Sequence, residues 1–459
     1  MENRSPAGES KEAKFENDEL FFSITDRTST ILTGNEVFIR ISGYKKEELI
    51  GQYHNIIRHP DMPRVVFKVL WDHINNDKPV VAYVKNKTKE GAYYWVLAAV
   101  FPLNDKFISI RIKPNSPIFA AVRELYCKLL MAESSGGMEA GLPMLTDLLA
   151  ELGYNSYDDF MSDALLSELG EHKKFLADID QDSKICPEIH TQLGTKLKLL
   201  LEYSQILMHR YERWFEKIDM YKQVKIVFDE KGQELRHLAR DIVFLSLNAS
   251  VASYKVESGG ETFGVLASDV RINAKENDAL IGHIHTLVQS LTDTLNELIS
   301  TVSALNIQIE AVSYFLFETL QCHVQSVSSE LKENIEFLIN LVSLYNEKLV
   351  ALQLKMDCFI QESGTYLDRL ERQVMYLGYI QVYGIIEAAS NHDETVGFGG
   401  IFSQLKGLIG KMSEEITVMQ KMGHNFHTEN QNLMGEAGEI GTLLKQFRTE
   451  SEIIKTMDE

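Results

Sequence analysis

The last 272 residues of this chain contain no proline, since all nine prolines lie at or before Pro187. Proline interrupts helices because it lacks an N–H group and its ring clashes with the preceding turn. The absence of proline from more than half of the chain therefore predicts long, uninterrupted helices after about residue 190.

Other absences narrow the class of protein. No run of about 18 uncharged apolar residues is present and the first twenty residues are polar, which predicts a cytoplasmic protein without membrane insertion or a signal peptide. The net charge of −20 argues against nucleic-acid binding, which needs a basic surface. The four cysteines are far apart and lack CxxC spacing, so we expect reduced thiols.

Catalytic signatures are also missing. The chain has no P-loop, no local Ser–His–Asp signature and no kinase or cyclase motif, so we do not expect an enzyme. His424 and His427 are three residues apart on a predicted helix. Two ligands are weak evidence for a metal, so the interpretation is a surface pair and no metal site.

The amino-terminal quarter has the pattern of a small α+β domain. Residues 1–18 are charged and nearly without apolar side chains, which predicts a disordered tail. Within residues 19–116, alternating apolar residues and turn signals predict two strands, several short helices and three further strands. This order of elements is the one expected of a PAS fold.

The rest of the chain has helical periodicity. The pattern of residues 117–190 predicts a connector of several helices. The segments EAGLP and LGYNS interrupt the helical pattern there. From about residue 191 apolar residues recur at alternating spacings of three and four, which predicts a long antiparallel four-helix coiled-coil bundle. The two longest series are Ile281, Ile284, Val288, Leu291, Leu295, Leu298, Val302, Leu305, Ile309 and Val312, and Ile335, Leu338, Val342, Tyr345, Leu349, Leu352, Met356 and Phe359.

The segments HNIIRHPDMPRVVF (54–67) and VKNKTKEGAYYWV (84–96) resemble the PAS domain of the bacterial aerotaxis transducer family. That family holds a flavin, so the resemblance implies bound FAD and a sensor of redox or energy state. When the flavin contacts of the family are carried over residue by residue, this chain has the family's residue at each of the five positions. They are Arg58, His59, Asp61, Trp71 and Asn86.

The side chains themselves suit an isoalloxazine, which needs apolar walls and a few polar groups at the ring edge. Trp71 and Trp95 offer flat walls, and Asn86 offers an amide. Other interpretations stay open, because Arg58 and Asp61 can form a plain loop ion pair, His59 can be a turn residue and both tryptophans can be core. The family usually has Trp at the position of Val80, Gly at Ala82, Arg at Leu97 and Asn at Ala99, so a PAS core that is empty or differently filled remains the alternative.

LSLNASVASYKVESGGETFGVLASDVR (245–271) resembles the cytoplasmic hairpin tip of methyl-accepting chemotaxis proteins. A weaker copy, VYGIIEAASNHDETVGFGGIFSQL (382–405), follows 135 residues later. The lengths predict hairpins at 191–325 and 326–459, which would form a pseudo-dimer within one chain, either as a monomer or paired in a homodimer. The alternative is a chance match on a helix rich in Ala and Gly. The tip residues that the resemblance implies in partner binding are Asn248, Val251, Lys255, Phe263, Glu387 and Phe398.

The resemblance implies a transducer that signals from a PAS-bound flavin to a chemotaxis coupling protein and a histidine kinase. The tips depart from the family at Ala252, Lys255 and Ser390, and Arg240 and Met375 replace an aromatic contact residue. These departures favour the rival hypothesis of a diverged scaffold or adaptor that no longer engages the kinase. An enzyme that turns over substrate with flavin is disfavoured, because PAS flavin sites resemble closed sensors.

Overall fold

The computed structural model describes residues 11–178, 191–254, 260–322, 328–390 and 398–457. The amino-terminal domain is built on one antiparallel sheet with the strand order β2-β1-β5-β4-β3. This sheet, followed by long helices, makes the chain an α+β protein, as the sequence predicts. The strands are β1 (Phe21–Asp26), β2 (Ile31–Gly34), β3 (Val80–Lys87), β4 (Tyr93–Leu103) and β5 (Lys106–Ile112).

Short helices lie between β2 and β3 and cover one face of the sheet. They are α1 (Glu36–Ser42), α2 (Lys46–Leu49), a 3-10 turn at His54–Ile57, and α3 (Arg64–Ile74). Asn35 caps α1 by accepting a hydrogen bond from the Phe38 N–H group. The β3–β4 hairpin turns at Gly91, whose φ of +89° is strained for residues with a Cβ.

The amino-terminal segment differs from the expectation of disorder through residue 18. The Ala13 N–H group donates to the Tyr93 carbonyl at 2.7 Å. Phe15 is buried and packs edge-on against Phe21 and Tyr94. Residues 11–18 therefore belong to the folded domain, because one aromatic side chain and a short pairing with β4 offset their polar composition. Residues 1–10 lie outside the described residues.

Two helices follow the sheet where the sequence predicts a helical connector. Helix α4 spans Pro117–Glu151 and α5 spans Tyr157–Asp178. A non-helical backbone at Gly137 kinks α4 ahead of the predicted break at EAGLP, and the chain leaves the helix at LGYNS. Both helices pack against the sheet and are part of one compact unit with it.

The carboxyl-terminal region consists of long helices. They are α6 (Gln192–Glu216), α7 (Ile218–Ser253), α8 (Gly260–Gln321), α9 (Ser329–Ser390) and α10 (Phe398–Thr456). All ten apolar residues of the predicted series on α8 are buried, and so are seven of the eight on α9, with Phe359 half-buried. The 3-4 repeat therefore identified the buried faces, because burial of apolar side chains drives the packing of such helices.

The chain divides into two compact units that cut across the predicted domain boundaries. The first unit comprises Met1–Phe215, Ile299–Lys348 and Gly438–Glu459. Within it the ends of the long helices pack against the sheet domain. Phe22 on β1 contacts Phe315 on α8, and Phe101 on β4 contacts Tyr345 on α9, both at 5.4 Å between ring centroids.

The second unit comprises Glu216–Leu298 and Leu349–Ala437. Four helical segments contact one another in it. Helix α7 contacts α10 through Tyr221 and Phe426, and α8 contacts α9 through His283 and Tyr366. Lys231 on α7 pairs with Glu415 on α10 at 2.9 Å. The unit is thus a helical bundle with an apolar interior and ion pairs at its margin.

Candidate functional site

A cavity of about 310 Å³ lies inside the sheet domain, between α3 and the inner face of the sheet. Cavities of about 300–1,000 Å³ are typical of small-molecule sites. Leu70, Trp71 and Ile74 of α3 form one wall, and Val84, Ala98, Val100 and Phe107 of the sheet form the other. The sheet residues reach the same space because alternate residues of a strand point to the same face.

One end of the cavity is polar and carries a buried positive charge. The Arg111 guanidinium donates to Ser23 Oγ at 3.0 Å, to the Ser109 carbonyl at 3.2 Å and to His54 Nε2 at 2.7 Å. Burial and the neighbouring Arg111 lower the pKa of His54 to about 3, so this imidazole is neutral. Burial also lowers the pKa of Arg111 to about 10, which leaves the guanidinium charged at neutral pH.

Two buried polar atoms at this cavity have no hydrogen-bond partner among the residues that the structure describes. They are Asn86 Nδ2 on β3 and Ser109 Oγ on β5. A buried polar atom without a partner costs about 1–3 kcal/mol. Such atoms at a cavity wall suit a ligand that accepts hydrogen bonds, as the carbonyl-bearing edge of a flavin ring does. The cavity therefore fits the donor requirements of the cofactor that the sequence suggests.

Three of the five residues that the sequence assigns to the cofactor line this cavity, namely Arg58, Trp71 and Asn86. The Arg58 guanidinium stacks 4.1 Å from the centroid of the Phe67 ring and donates to the Met62 carbonyl. Trp71 makes an edge contact with Phe107 across the cavity at 6.3 Å. These three side chains supply a cation, an aromatic wall and an amide.

The other two assigned residues, His59 and Asp61, do not line the cavity. His59 Nδ1 accepts a hydrogen bond from the Asp61 N–H group at 3.1 Å, and Asp61 binds Lys85 at 3.0 Å. Burial lowers the pKa of His59, with Lys85 as a second cause. The geometry favours the turn-residue interpretation of His59, while the carboxylate of Asp61 pairs with Lys85 rather than Arg58.

Trp95 and the four departures from the family pattern are also outside the cavity lining. Trp95 points to the opposite face of the sheet and packs against Phe119 and Tyr126 of α4. It is therefore a core residue, and the prediction that it forms a cofactor wall is wrong. Val80, Ala82, Leu97 and Ala99 do not reach the cavity surface, so they do not set its polarity.

Sequence reasoning missed His54, Ser109 and Arg111. His54 belongs to the same HNIIRHPDMP segment that carries Arg58. Ser109 and Arg111 alternate on β5 with the outward-facing Ile108, Ile110 and Ile112. Successive side chains of a strand point to opposite faces, so the polar residues of β5 share one face while the isoleucines share the other. This alternation is visible in the sequence and could have identified Ser109 and Arg111.

The outer face of the sheet contacts α4 and α5 through a buried carboxylate. Glu168 on α5 accepts hydrogen bonds from the Tyr83 hydroxyl at 2.8 Å and from the Ser116 hydroxyl at 2.7 Å. It also accepts from the N–H groups of Asn115 and Ser116, which lie at the start of α4. Tyr83 is on β3, the strand that carries Asn86, so one strand joins the cavity to the start of α4.

The carboxyl end of α8 and the beginning of α9 contact the domain at β2 and at the short helices that follow it. Glu318 of α8 accepts a hydrogen bond from the Val37 N–H group at 3.1 Å, at the amino end of α1. Burial raises the pKa of Glu318 to about 7. Glu330 of α9 accepts from the Thr33 hydroxyl at 2.6 Å and pairs with Lys46 at 2.5 Å.

The residues assigned to the hairpin tips differ in exposure. Asn248 and Val251 are exposed on α7, and Glu387 is half-buried on α9. Phe263 and Phe398 are buried and stack on each other with ring centroids 4.1 Å apart. Their contact is internal, so neither ring is available to a partner. Lys255 lies outside the described residues.

Exposed apolar side chains form two stripes close to these tips. On α7 they recur at helical spacing, and the stripe consists of Phe244, Leu247, Val251 and Tyr254. On α9 the stripe consists of Met375, Tyr376, Tyr379, Val382, Tyr383 and Ile386, of which Tyr379 is 73% exposed. Clusters of exposed apolar side chains of this kind mark interaction sites in proteins.

In the portion of the chain that the structure describes, none of the helices has the length and apolar character required to cross a bilayer.

Residues 31–109 match the family model described as PAS fold, so the amino-terminal domain is a PAS domain. The chain is 36% identical over 140 residues to the aerotaxis receptor of Escherichia coli (strain K12). This match covers 29% of this chain and 28% of that protein. The chain is 28% identical over 88 residues to phototropin-1A of Oryza sativa subsp. japonica. This match covers 18% of this chain and 10% of that protein. The chain thus spans less than a third of the length of these curated relatives.

Solved structures similar to the chain include light-sensing LOV domains. The light state of the Aureochrome1 LOV domain is 22% identical with a TM-score of 0.20, and the match covers 22% of this chain and 85% of that one. The LOV domain of the blue-light activated histidine kinase of Erythrobacter litoralis EL346 is 19% identical with a TM-score of 0.20, covering 20% and 94%.

Proposed function

We propose that this protein is a cytoplasmic, non-enzymatic sensory transducer whose PAS domain binds a flavin and whose helical bundle passes the signal to a chemotaxis coupling protein and a histidine kinase. The observation that carries the proposal is the cavity lined by Asn86, Ser109 and Arg111. Among the described residues, Asn86 Nδ2 and Ser109 Oγ have no hydrogen-bond partner, and Arg111 contributes a buried positive charge. The likeness to an aerotaxis receptor supports the same assignment.

Within the cavity, each wall has a separate task. Trp71 and Phe107 exclude water from the faces of a planar ring, while Asn86 and Arg111 each offer hydrogen-bond donors to its polar groups. Arg58 at the cavity suits the phosphate groups of FAD, because guanidinium groups bind phosphate well. When bound, the flavin supplies a group that accepts and returns electrons.

Signal transfer starts at strand β3. Asn86 faces the cavity, and Tyr83 three residues away donates to Glu168 on the opposite face. A displacement of β3 changes the hydrogen bonds that hold the beginning of α4. Glu318 joins α8 to the start of α1, and Glu330 joins α9 to β2, so a displacement of the sheet also biases the packing of the long helices.

Contacts between equivalent residues support a pseudo-dimer formed by one chain. Phe398 stands 135 residues after Phe263, and the two rings stack on each other. Asn346 stands 135 residues after Tyr211 and accepts a hydrogen bond from its hydroxyl at 3.0 Å. A two-fold axis brings equivalent residues of two copies together, so both contacts support two fused hairpins of receptor type.

The partner surface is assigned to the tips. Asn248 and Val251 are exposed there, and the apolar stripe on α7 offers area for a hydrophobic contact. The second function, a scaffold for another partner, is favoured by the exposed Tyr376, Tyr379 and Tyr383, which make the α9 stripe aromatic. Exposed aromatic clusters are common at protein interfaces.

The first experiment is an absorption spectrum of the purified full-length chain, with the released cofactor identified by mass. Near-stoichiometric FAD is the expected result. A colourless protein after expression with excess flavin would contradict flavin sensing and leave the scaffold function.

A pull-down with purified coupling protein and histidine kinase then separates the two functions. The transducer retains both proteins, and Val251→Asp weakens the complex because it puts a charge into the apolar contact. Ile226→Asp is the matched control, since Ile226 is an exposed apolar residue of the same helix outside the tip. Binding of neither protein would favour the scaffold.

A further inference from the structure

Arg111 is a buried cation without an acidic partner in the part of the chain that the structure describes. Its side chain lies between Phe21 and Phe38, at 5.6 and 5.5 Å from the ring centroids. The residue is only 2% exposed. Burying an unpaired charge is costly, so a protein that retains one gains something from it.

All hydrogen-bond partners of Arg111 are neutral. They are the Ser23 hydroxyl, the Ser109 carbonyl and the His54 imidazole. Because the guanidinium only donates, His54 Nε2 accepts, which places the imidazole proton on Nδ1. None of these groups offsets the charge, so the polar end of the cavity keeps a full positive charge.

The same end of the cavity has more donors than acceptors. Three of the five guanidinium N–H groups are used, which leaves two. Ser109 Oγ on the same strand adds a donor without a partner in the described part of the chain. The ligand that satisfies these groups is a planar ring with carbonyl oxygens at one edge and a capacity for negative charge at that edge.

We propose that Arg111 sets the charge state of the bound flavin by holding its carbonyl edge and stabilising the two-electron reduced ring as an anion. The inference rests on the proposed function that the cavity binds flavin. In this state the ring has taken up two electrons and one proton, and the remaining negative charge faces the guanidinium.

The test is a redox titration of the FAD-loaded full-length protein with a chemical reductant at a series of pH values. The midpoint potential changes with pH twice as steeply when reduction takes up two protons as when it takes up one. The slope becomes steep below the pH at which the reduced ring takes up its second proton. We expect this transition at least one pH unit lower in the protein than in free FAD, which corresponds to a tenfold lower affinity of the reduced ring for that proton.

Three variants separate charge from structure. Arg111→Gln removes the charge, and it is expected to lower the midpoint potential and return the transition toward that of free FAD. Arg111→Lys keeps the charge and the low transition. Lys113→Gln is the matched control because Lys113 lies two residues further on, binds the Phe15 carbonyl at 2.8 Å and does not line the cavity.

The wild-type titration alone can overturn the inference if its transition coincides with that of free FAD, even when Arg111→Gln does not fold. A loaded Arg111→Gln protein with the wild-type potential and pH slope would also overturn it, while the proposed function would stand. A wild-type protein that binds no flavin would overturn both.

Discussion

Buried side chains with unmet hydrogen bonds dominate the chemistry of the PAS cavity at the residue scale. Asn86 and Ser109 cost free energy in the absence of a ligand, and Arg111 adds a positive charge. These groups are held on β3 and β5, two strands of one antiparallel sheet, so their positions are fixed by the sheet rather than by a loop. A preformed set of donors reduces the ordering cost of binding.

Asn86→Ala is expected to weaken flavin binding about tenfold, because one lost hydrogen bond of about 1.4 kcal/mol corresponds to that factor. The measurement is the dissociation constant of FAD from fluorescence quenching. Asn75→Ala is the control, since Asn75 is exposed at the end of α3 and outside the cavity. Equal affinities of the two variants would contradict a role for the Asn86 amide.

At the scale of secondary-structure elements, the PAS sheet is coupled to helices on its outer face. Glu168 joins β3 to the start of α4, and Glu318 joins α8 to the start of α1. Both carboxylates accept backbone hydrogen bonds at helix beginnings, where free N–H groups and the helix dipole favour acceptors. A change in β3 therefore reaches α4 and α5, and a change at α1 reaches α8, through defined bonds.

Glu168→Ala is expected to destabilise the protein by about 3 kcal/mol or more, because it leaves several buried donors without an acceptor. Urea denaturation monitored by tryptophan fluorescence measures the loss. Glu171→Ala, one turn away, removes only the surface ion pair with Lys174 and is expected to change stability by less than about 1 kcal/mol. Similar losses for both variants would contradict the buried hydrogen-bond network.

Glu318 makes stability depend on pH between its ordinary pKa near 4.5 and its folded pKa of about 7. The folded state binds more protons than the unfolded state in this range, so stability falls as the pH rises from 5 to 7.5. The contribution is at most about 3 kcal/mol, given one pKa unit is about 1.4 kcal/mol. The negative charge of Glu36 also raises the pKa of Glu318, so it adds to this pH dependence.

Glu318→Gln is expected to flatten this dependence, since glutamine does not titrate and can still accept from the Val37 N–H group. The measurement is the urea midpoint at pH 5, 6, 7 and 8. Glu330→Gln is the control on the adjacent helix, because it removes the ion pair with Lys46 and leaves Glu318 in place. An unchanged slope in Glu318→Gln would show that another group titrates.

At the scale of the whole molecule, four long helical segments of one chain supply an apolar interior. Tyr211 contacts Asn346 and Phe263 contacts Phe398, in each case a residue 135 positions further along the chain. In the proposed pseudo-dimer, covalent continuity replaces an interface between two chains, which removes the concentration dependence of assembly.

Light scattering of the full chain is therefore expected to give 52.3 kDa, the mass of one copy, at all protein concentrations. The physical reason is that the buried series on α8 and α9 already have partners within the chain. Denaturation midpoints should also be independent of concentration. A mass of twice this value across the dilution series would favour the homodimer.

The sequence alone determined the elements and their types. The alternation of apolar residues gave the strands, and the 3-4 repeat on α8 identified residues that are all buried, because periodicity directly reflects which face leaves water. The resemblance carried by residues 54–67 and 84–96 also pointed to a PAS domain, and the residues carried over from that family include three that line its cavity. These signals involve residues that are close together in the chain, so they can be detected in the sequence alone.

Only the tertiary structure decided which side chains share a site. His59 lies beside Arg58 in the chain but outside the cavity, whereas Arg111 lies 53 residues from Arg58 and lines it. The sequence makes Trp95 a candidate wall of the cavity, yet it contacts Phe119 of α4 on the outer face. The docking of Glu318 and Glu330 on the PAS domain joins positions almost 300 residues apart. Such contacts depend on strand pairing and on helix packing, which no local pattern encodes.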